Sequence, residues 1–470
     1  KFADPDALRL ICIERWITLR RTSTSRSRRM QDAMSLIQSR RSIVGVIGLG
    51  YVGLPLAHGF MQAGFPVIGF DVDQRKVDAL GHGESYLDHL AESMFTALFD
   101  APEFTATTDL SRLGECDSIL VAVPTPLGRH EEPDLSYVEA TAAHIGTTLR
   151  PNQLLVLEST TFPGTTRDLF LGSILANSPD TDLEAGVDFF VAYSPEREDP
   201  GRDMETTAVP KLVGGLDDAS GSLAEALYGA AFEKVVVVDS AEVAESAKLL
   251  ENIFRAVNIA LVNEMKVVLQ AMDIDIWEVI DAASTKPYGF MPFYPGPGLG
   301  GHCIPIDPFY MTWKAKEVER DVEFIELAGL VNRRMPHYVI EQLMLGLNQA
   351  GKALSRSRVL IIGLAYKAGV GDTRESPTYK LIELIRERHG EADYHDELAP
   401  VAIPGREFDI GLESVALTAE SIAGYDAVVI STAQVDVPWE LVADHAQLVV
   451  DTRNIMQPFA EQMGERLVKA

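Results

Sequence analysis

Cys303 stands in the segment Pro295-Gly296-Pro297-Gly298-Leu299-Gly300-Gly301-His302-Cys303-Ile304-Pro305-Ile306-Asp307-Pro308. A backbone this rich in glycine and proline carries little bulk, so it suits a loop that approaches a ligand closely. The thiol it delivers is a candidate nucleophile. Asp307, four residues on, adds an acidic side chain. His302 immediately precedes the thiol, and a charged imidazole favours thiolate. The same segment also reads as a tight turn around a small buried cysteine. On these residues alone the two readings stand level.

A second constellation is Gly48-Leu49-Gly50-Tyr51-Val52-Gly53, which fits G-x-G-x-x-G. The pattern follows the apolar run Ile43 to Gly48 and opens a helix over Leu54 to Ala63. A second strand, Pro66 to Phe70, then ends at Asp71. That is the context of a dinucleotide fingerprint. Gly48, Gly50, Tyr51, Val52 and Gly53 would bring the backbone against a pyrophosphate at a helix N-terminus. Asp71 would accept hydrogen bonds from the adenosine ribose and repel a 2′-phosphate, which favours NAD over NADP. Lys76 is a further candidate for the ribose or phosphate.

Thr125 in Val123-Pro124-Thr125-Pro126, and Glu158 and Thr161 in Glu158-Ser159-Thr160-Thr161, each follow the end of a strand. Doubly wound sheets bind ligands there, which directs these residues to the nicotinamide end of the cofactor. Capping of turns or helices is the competing role. Lys248 and Asn252 lie four apart on one face of a long helix. With Leu249, Leu250 and Ile253 beside them they face partial burial, and a buried lysine is costly unless it serves an anion. A solvated pair is the alternative. Lys367, Asp372, Arg374 and Ser376 share the first strand-to-helix loop of the C-terminal α/β unit. Its two cations suit a phosphate, or else a surface salt bridge.

The elements that must position these residues alternate strand and helix from Ser42 to Val238, which predicts a doubly wound α/β domain over residues 42–239. From Ala241 to about Met272 there is no glycine or proline. A helix of that length spans about 48 Å, and Ser240 is a suitable N-cap. It opens a helical middle domain, residues 240–353. Residues 354–470 form a second Rossmann-like α/β domain, without a G-x-G-x-x-G. Ser42 to Phe70 carries no charged residue except His58, yet its glycines and prolines break it into strand, turn, helix and strand. No membrane insertion is expected.

The formal net charge is −28, which argues against nucleic acid as a partner and requires local cations for any anionic substrate. Cys12, Cys116 and Cys303 are odd in number and far apart. They form neither a disulfide framework nor a metal spacing, so a reducing cytoplasm and no metal are expected. The first 41 residues run against the rest, with ten Lys or Arg against four acids. They are expected to be a mobile or artificial extension outside the fold, with Met30 and Met34 as alternative starts.

The ordered motifs GLGYVGLPLA, VPTP, ESTTFPGTT, SPEREDPG, KLLENIFRAVNIALVNEM, PGPGLGGHCIPIDPFY and GLAYKAGVGDTRESP resemble the UDP-glucose/GDP-mannose dehydrogenase family of nucleotide-sugar 6-dehydrogenases. The resemblance runs from Ser42 to about Asn454. SPEREDPG and GPGLGGHCIPIDPFY look like the branch acting on UDP-N-acetylhexosamines, with the glucosamine epimer favoured and the mannosamine epimer its neighbour. His302 stands where enzymes acting on UDP-glucose usually carry Ser.

The resemblance implies oxidation of a sugar hydroxymethyl to a carboxylate with two NAD+, for surface polysaccharide synthesis. Cys303 would hold the aldehyde as a thiohemiacetal and then as a thioester. Lys248 would stabilise charge on the C6 oxygen, and Asn252 would position that oxygen or a water. Asp307, with Thr125, would accept protons, and Glu158 would assist thioester hydrolysis. The first-step base is Lys248 or Asp307. Gly298, Gly300, Gly301 and His302 would contact the sugar, and Lys367 and Arg374 the nucleotide. The family dimerises through the long helix, so Ala241 to Met272 is the expected homodimer interface. A UDP-glucose or GDP-mannose enzyme and a non-catalytic nucleotide-sugar sensor are the competing readings.

Overall fold

The computed structural model describes residues 28–87, 90–128, 132–197, 206–301, 304–405 and 408–470. The chain divides within the long helix, between Leu249 and Leu250, into two compact units.

The first unit is built on strands β1 (Val44–Ile47), β2 (Val67–Phe70), β3 (Phe104–Thr107), β4 (Ser118–Val121), β5 (Leu154–Leu157), β6 (Phe190–Tyr193), β7 (Lys211–Gly215) and β8 (Val235–Val238). Their spatial order is β3-β2-β1-β4-β5-β6-β7-β8. Every neighbouring pair is parallel except β6 and β7, which run antiparallel. The connections reverse direction between β1 and β4, and the ligand crevice of such a sheet opens there, beyond the carboxyl ends of the strands. Strands β1, β2, β4, β5 and β6 are buried at every residue, as continuous apolar runs require when helices cover both faces.

Strands β3 and β7 escape the apolar-run reading. Phe104–Thr107 is half exposed, and Lys211–Gly215 begins with a charge and ends in two glycines. The expected extension also needs correction. Residues 28–38 are helical, and Ala33 and Ile37 are buried in the same core cluster as Leu56, Phe60 and Phe65. Met30 and Met34 pack against that cluster. This amphipathic turn belongs to the fold, whereas residues 1–27 lie outside the described chain.

The long helix is Ala241–Gln270, and the Ser240 hydroxyl accepts from the Val243 amide at 3.3 Å as expected of a cap. Beyond Leu250 the second unit holds helices Ile276–Ser284, Asp307–Glu317 and Glu323–Gln349. Its sheet comprises β9 (Arg358–Ile362), β10 (Glu391–His395), β11 (Ala427–Ile430), β12 (Val449–Asp451) and β13 (Leu467–Lys469), in the order β10-β9-β11-β12-β13. All four pairings are parallel. Among the described residues no helix is long and apolar enough to cross a membrane.

Because Ile37 is 2% exposed in the core of the first unit, Ile37→Ala is expected to cost about 2–4 kcal/mol. Urea unfolding followed by circular dichroism would show a lower midpoint. An unchanged midpoint would place the 28–38 helix outside the cooperative unit.

Candidate active site

In the first unit the chain leaves β1 through Gly48 with φ +94°, and a Cβ there would lie 2.4 Å from the Ala122 carbonyl oxygen. Only glycine fits this turn. No atom lies within 4 Å of where a Gly50 Cβ would be, so that side of the turn is open for a ligand. Gly53 opens the helix Gly53–Gln62, with Tyr51 and Val52 half-buried just before it.

Asp71, 7% exposed, closes the turn from the end of β2. Its Oδ2 accepts from the Leu49 amide at 2.9 Å and from Lys76 Nζ at 2.8 Å, and its Oδ1 accepts from the Asp73 amide at 2.9 Å. A carboxylate has roughly four acceptor sites, so a ribose hydroxyl can still bond there. The Lys76 ammonium lies on Asp71.

Thr125 and Thr161 are buried, at 4% and 0% exposure. The Thr161 hydroxyl has no hydrogen-bond partner among the described residues. The loop that carries it is fixed from the long helix: the Glu245 carboxylate accepts from the Gly164 and Thr166 amides at 2.7 and 2.9 Å and from Thr166 Oγ1 at 2.6 Å. An open glycine turn, an acid with spare acceptor capacity and an orphaned hydroxyl together fit a dinucleotide.

Glu158 follows β5 and is 1% exposed. Its Oε2 accepts from Lys211 Nζ at 2.6 Å, and its Oε1 accepts from the Tyr228 hydroxyl. Lys211 Nζ also donates to Glu196 Oε2 at 3.1 Å. Burial pushes the Glu158 carboxyl up to about 7, against the pull of Lys211. Burial also opposes the Lys211 charge, but the two carboxylates outweigh it and raise its pKa. With both oxygens engaged and the side chain closed from solvent, Glu158 is a buried anchor. The more exposed carboxylate of the cluster is Glu196, at 13%. Spacing in the sequence does not relate Glu196, Lys211 and Tyr228, which meet through the β6–β7 pairing and the end of the helix Asp218–Tyr228.

In the second unit Asn252 Nδ2 donates to Asp307 Oδ2 at 2.5 Å. The residues are 5% and 2% exposed, and Asp307 opens the helix Asp307–Glu317. Lys248, one turn before Asn252 on the same helix, is 7% exposed, so neither belongs to a solvated pair. His302 and Cys303 lie outside the described residues. The adjoining loop packs on the C-terminal α/β layer: the Gly301 amide donates to the Arg374 carbonyl at 3.0 Å. A Cβ on Gly300 would meet Tyr366 at 2.5 Å, and one on Gly298 would meet Pro377 at 3.0 Å. Lys367 is half-buried, and Arg374 is exposed with its guanidinium on Asp372 at 2.7 Å.

A second device of the same kind follows β9. Gly363 has φ +91°, and its Cβ would lie 2.6 Å from the Thr432 carbonyl oxygen. Asp396, directly after β10, accepts from the Leu364 and Ala365 amides at 2.8 and 2.9 Å. This is the Gly48–Asp71 arrangement rebuilt without the full glycine fingerprint.

Comparison with known proteins agrees with this duplication of nucleotide sites. Three consecutive domains of the UDP-glucose/GDP-mannose dehydrogenase family match: the NAD binding domain at residues 42–232, the central domain at 242–334 and the UDP binding domain at 360–458. The chain belongs to that family. It is an NAD-dependent nucleotide-sugar dehydrogenase with a mixed α/β architecture. It is 33% identical to the UDP-N-acetyl-D-mannosamine dehydrogenase of Pyrococcus horikoshii, over 88% of this chain and 96% of that protein. It is 33% identical to the UDP-N-acetyl-D-glucosamine 6-dehydrogenase of Pseudomonas aeruginosa, over 83% of this chain and 90% of that protein. The solved structure of the Pyrococcus horikoshii UDP-D-ManNAc dehydrogenase superimposes with a TM-score of 0.78 at 31% identity, covering 88% of this chain and 96% of that one.

Among the dehydrogenase's other thiols, Cys116 is buried and burial pushes it up to about 12, which removes it as a nucleophile at neutral pH. Asp71 generates the prediction of this section. Asp71→Asn keeps the shape but removes the charge, so it should raise the dissociation constant for NAD roughly ten- to hundredfold. It should also narrow the preference for NAD over NADP. Titration of cofactor fluorescence checks this, and an unchanged preference would remove Asp71 from the ribose site.

Proposed function

We propose that this dehydrogenase oxidises the C6 hydroxymethyl of a UDP-N-acetylhexosamine, UDP-N-acetyl-D-glucosamine first, to the uronic acid in the cytoplasm. The product would serve surface polysaccharide synthesis. The observation that carries the proposal is the buried Asn252–Asp307 pair, with Asp307 four residues beyond Cys303. Binding a nucleotide sugar needs neither a thiol nor a sequestered carboxylate, whereas this oxidation uses both. That weighs against a non-catalytic sensor.

Bound NAD+ supplies the hydride acceptor, held by Gly48, Gly50, Tyr51, Val52, Gly53, Asp71, Lys76, Thr125 and Thr161. The chain's own residues do the rest. Asp307 or Lys248 takes the hydroxyl proton in the first oxidation. The Cys303 sulfur adds to the aldehyde carbon, and its proton passes to the C6 oxygen. Lys248 stabilises charge on that oxygen while Asn252 orients it. The second oxidation leaves a thioester, and water divides it into carboxylate and thiol. Glu196, the more exposed carboxylate on Lys211, replaces Glu158 in this reading as the acceptor of the water proton. Gly298, Gly300, Gly301 and His302 contact the sugar, and Lys367 and Arg374 the nucleotide.

The mannosamine epimer is the second reading, favoured by the name of the Pyrococcus horikoshii relative. Dimerisation through the helix Ala241–Gln270 is part of the proposal, supported by the apolar residues Leu250, Phe254, Leu261 and Met265 exposed along it.

NADH release from UDP-GlcNAc, UDP-ManNAc, UDP-GalNAc, UDP-glucose and GDP-mannose tests the reading. Two NADH per sugar are expected, with UDP-GlcNAc turned over best. One NADH per sugar, or activity with GDP-mannose alone, would contradict it. Cys303→Ser should lower steady carboxylate production by on the order of 10³-fold or more while NAD and substrate still bind. Undiminished turnover in that variant would sink the thioester course.

A further inference from the structure

Leu49, between the first two glycines of the turn after β1, is pinned on three sides. Its side chain lies against Gly69 of β2, where a Cβ would come within 2.9 Å of it. Its amide donates to Asp71 Oδ2 at 2.9 Å. Its carbonyl accepts from the Tyr86 hydroxyl at 2.7 Å. The first two contacts come from the strand paired with β1 and from the acid that follows it. The third comes from outside the glycine fingerprint. Tyr86 is 37 residues further along the chain, between the helices Gln74–His82 and Glu92–Asp100.

Tyr86 is itself held in place. Its ring meets Phe95 edge-on, with centroids 5.3 Å apart and planes at 80°, and Phe95 is fully buried. Burial raises the pKa of the phenol and the Asp71 charge adds to the rise, so the hydroxyl keeps its proton and donates. A tyrosine withdrawn from water usually finds a hydrogen-bond partner. The partner here is a carbonyl inside the nucleotide-binding turn. The Leu49–Gly50 peptide is trans, so its N–H points opposite to its carbonyl. With Tyr86 on the carbonyl, the Gly50 N–H is held on the other side. That amide donates to no group among the described residues, and no atom lies within 4 Å of where a Gly50 Cβ would be. The freedom of a glycine at position 50 would otherwise let this peptide rotate.

We propose that Tyr86 is a positioning residue of the cofactor site, which fixes the Leu49–Gly50 peptide so that the turn meets the pyrophosphate of NAD already in its binding conformation. This role rests on the placement of NAD at the turn proposed above. The Tyr86 hydroxyl acts on the turn and not on the cofactor. What it supplies is the loss of rotational freedom before the ligand arrives. The adenosine half of NAD, assigned above to Asp71, does not depend on the direction of the Gly50 amide.

Tyr86→Phe keeps the ring on Phe95 and deletes the hydroxyl. Titration into the whole chain should give dissociation constants for NAD+ and for ADP-ribose raised roughly three- to tenfold. Adenosine carries no pyrophosphate, and its constant, followed by saturation-transfer NMR, should stay within about twofold. With a nucleotide sugar that releases NADH, KM for NAD+ should rise by the same factor while kcat at saturating NAD+ stays within about twofold. A merely structural hydroxyl would lower the unfolding midpoint of the ligand-free protein and leave these affinities alone. Unchanged affinity for NAD+ and ADP-ribose overturns the proposal. An equal loss for adenosine also overturns it, because the hydroxyl would then act on the adenosine itself. If Tyr86→Phe does not fold, Phe95→Leu decides, since it unseats the ring and leaves the hydroxyl. NAD+ and ADP-ribose should then weaken while adenosine does not, and no weakening overturns the proposal. Gly48→Ala, titrated alongside, keeps two failures apart. NAD+ bound as tightly by Gly48→Ala as by the wild type contradicts the placement of NAD at the turn. A loss in Gly48→Ala with none in Tyr86→Phe overturns the role of Tyr86 alone.

Discussion

The turn that leaves the first strand of each α/β unit has no room for a Cβ. Gly48 and Gly363 share a left-handed backbone, φ +94° and +91°, and in each a methyl group would strike a carbonyl oxygen beyond the neighbouring strand, that of Ala122 or Thr432. Close approach of the loop to the sheet aims its next amides outward, at the place where a phosphate is bound in such folds. A carboxylate at the end of the second strand then ties the loop down, Asp71 through the Leu49 amide and Asp396 through the Leu364 and Ala365 amides. The same steric constraint thus prepares one nucleotide site in each unit.

It also explains how a chain with a net charge of −28 binds two anionic nucleotides. Two of the basic side chains near these turns are held by acids, Lys76 by Asp71 and Arg374 by Asp372. With those two cations compensated in this way, backbone amides and helix N-termini add counter-charge for phosphate. In the proposed reading Asp71, at the adenosine ribose, sets which dinucleotide is accepted. Lys211 is the inverse case, one buried cation that donates to two carboxylates, Glu158 and Glu196.

What could be read in the sequence was whatever is local. The first glycine turn, its strand, its helix and Asp71 occupy one short stretch, so spacing alone assembled them. Lys248 and Asn252 were related by one helical turn, and their burial follows from the apolar residues between them. The second nucleotide loop was legible through its cations Lys367 and Arg374, whereas its turn at Gly363 was not, because Gly363 takes the left-handed backbone without the two companion glycines. Lys211, Glu158 and Glu196 were hidden for a different reason. They come from three separate strand ends, and Lys211 opens a strand whose charge and glycines disguise it. The helix over 28–38 was misjudged from its charge, since Arg28, Arg29, Arg40 and Arg41 flank a face that buries Ala33 and Ile37.

The central claim is that each unit carries its own nucleotide site, formed by its own glycine turn. Calorimetric titration of NAD+ and of UDP into Gly48→Ala and Gly363→Ala tests it most directly. Gly48→Ala should lose NAD+ binding and keep UDP binding, and Gly363→Ala should do the reverse. Loss of both ligands in either variant, with the fold intact, or loss of neither, would contradict it.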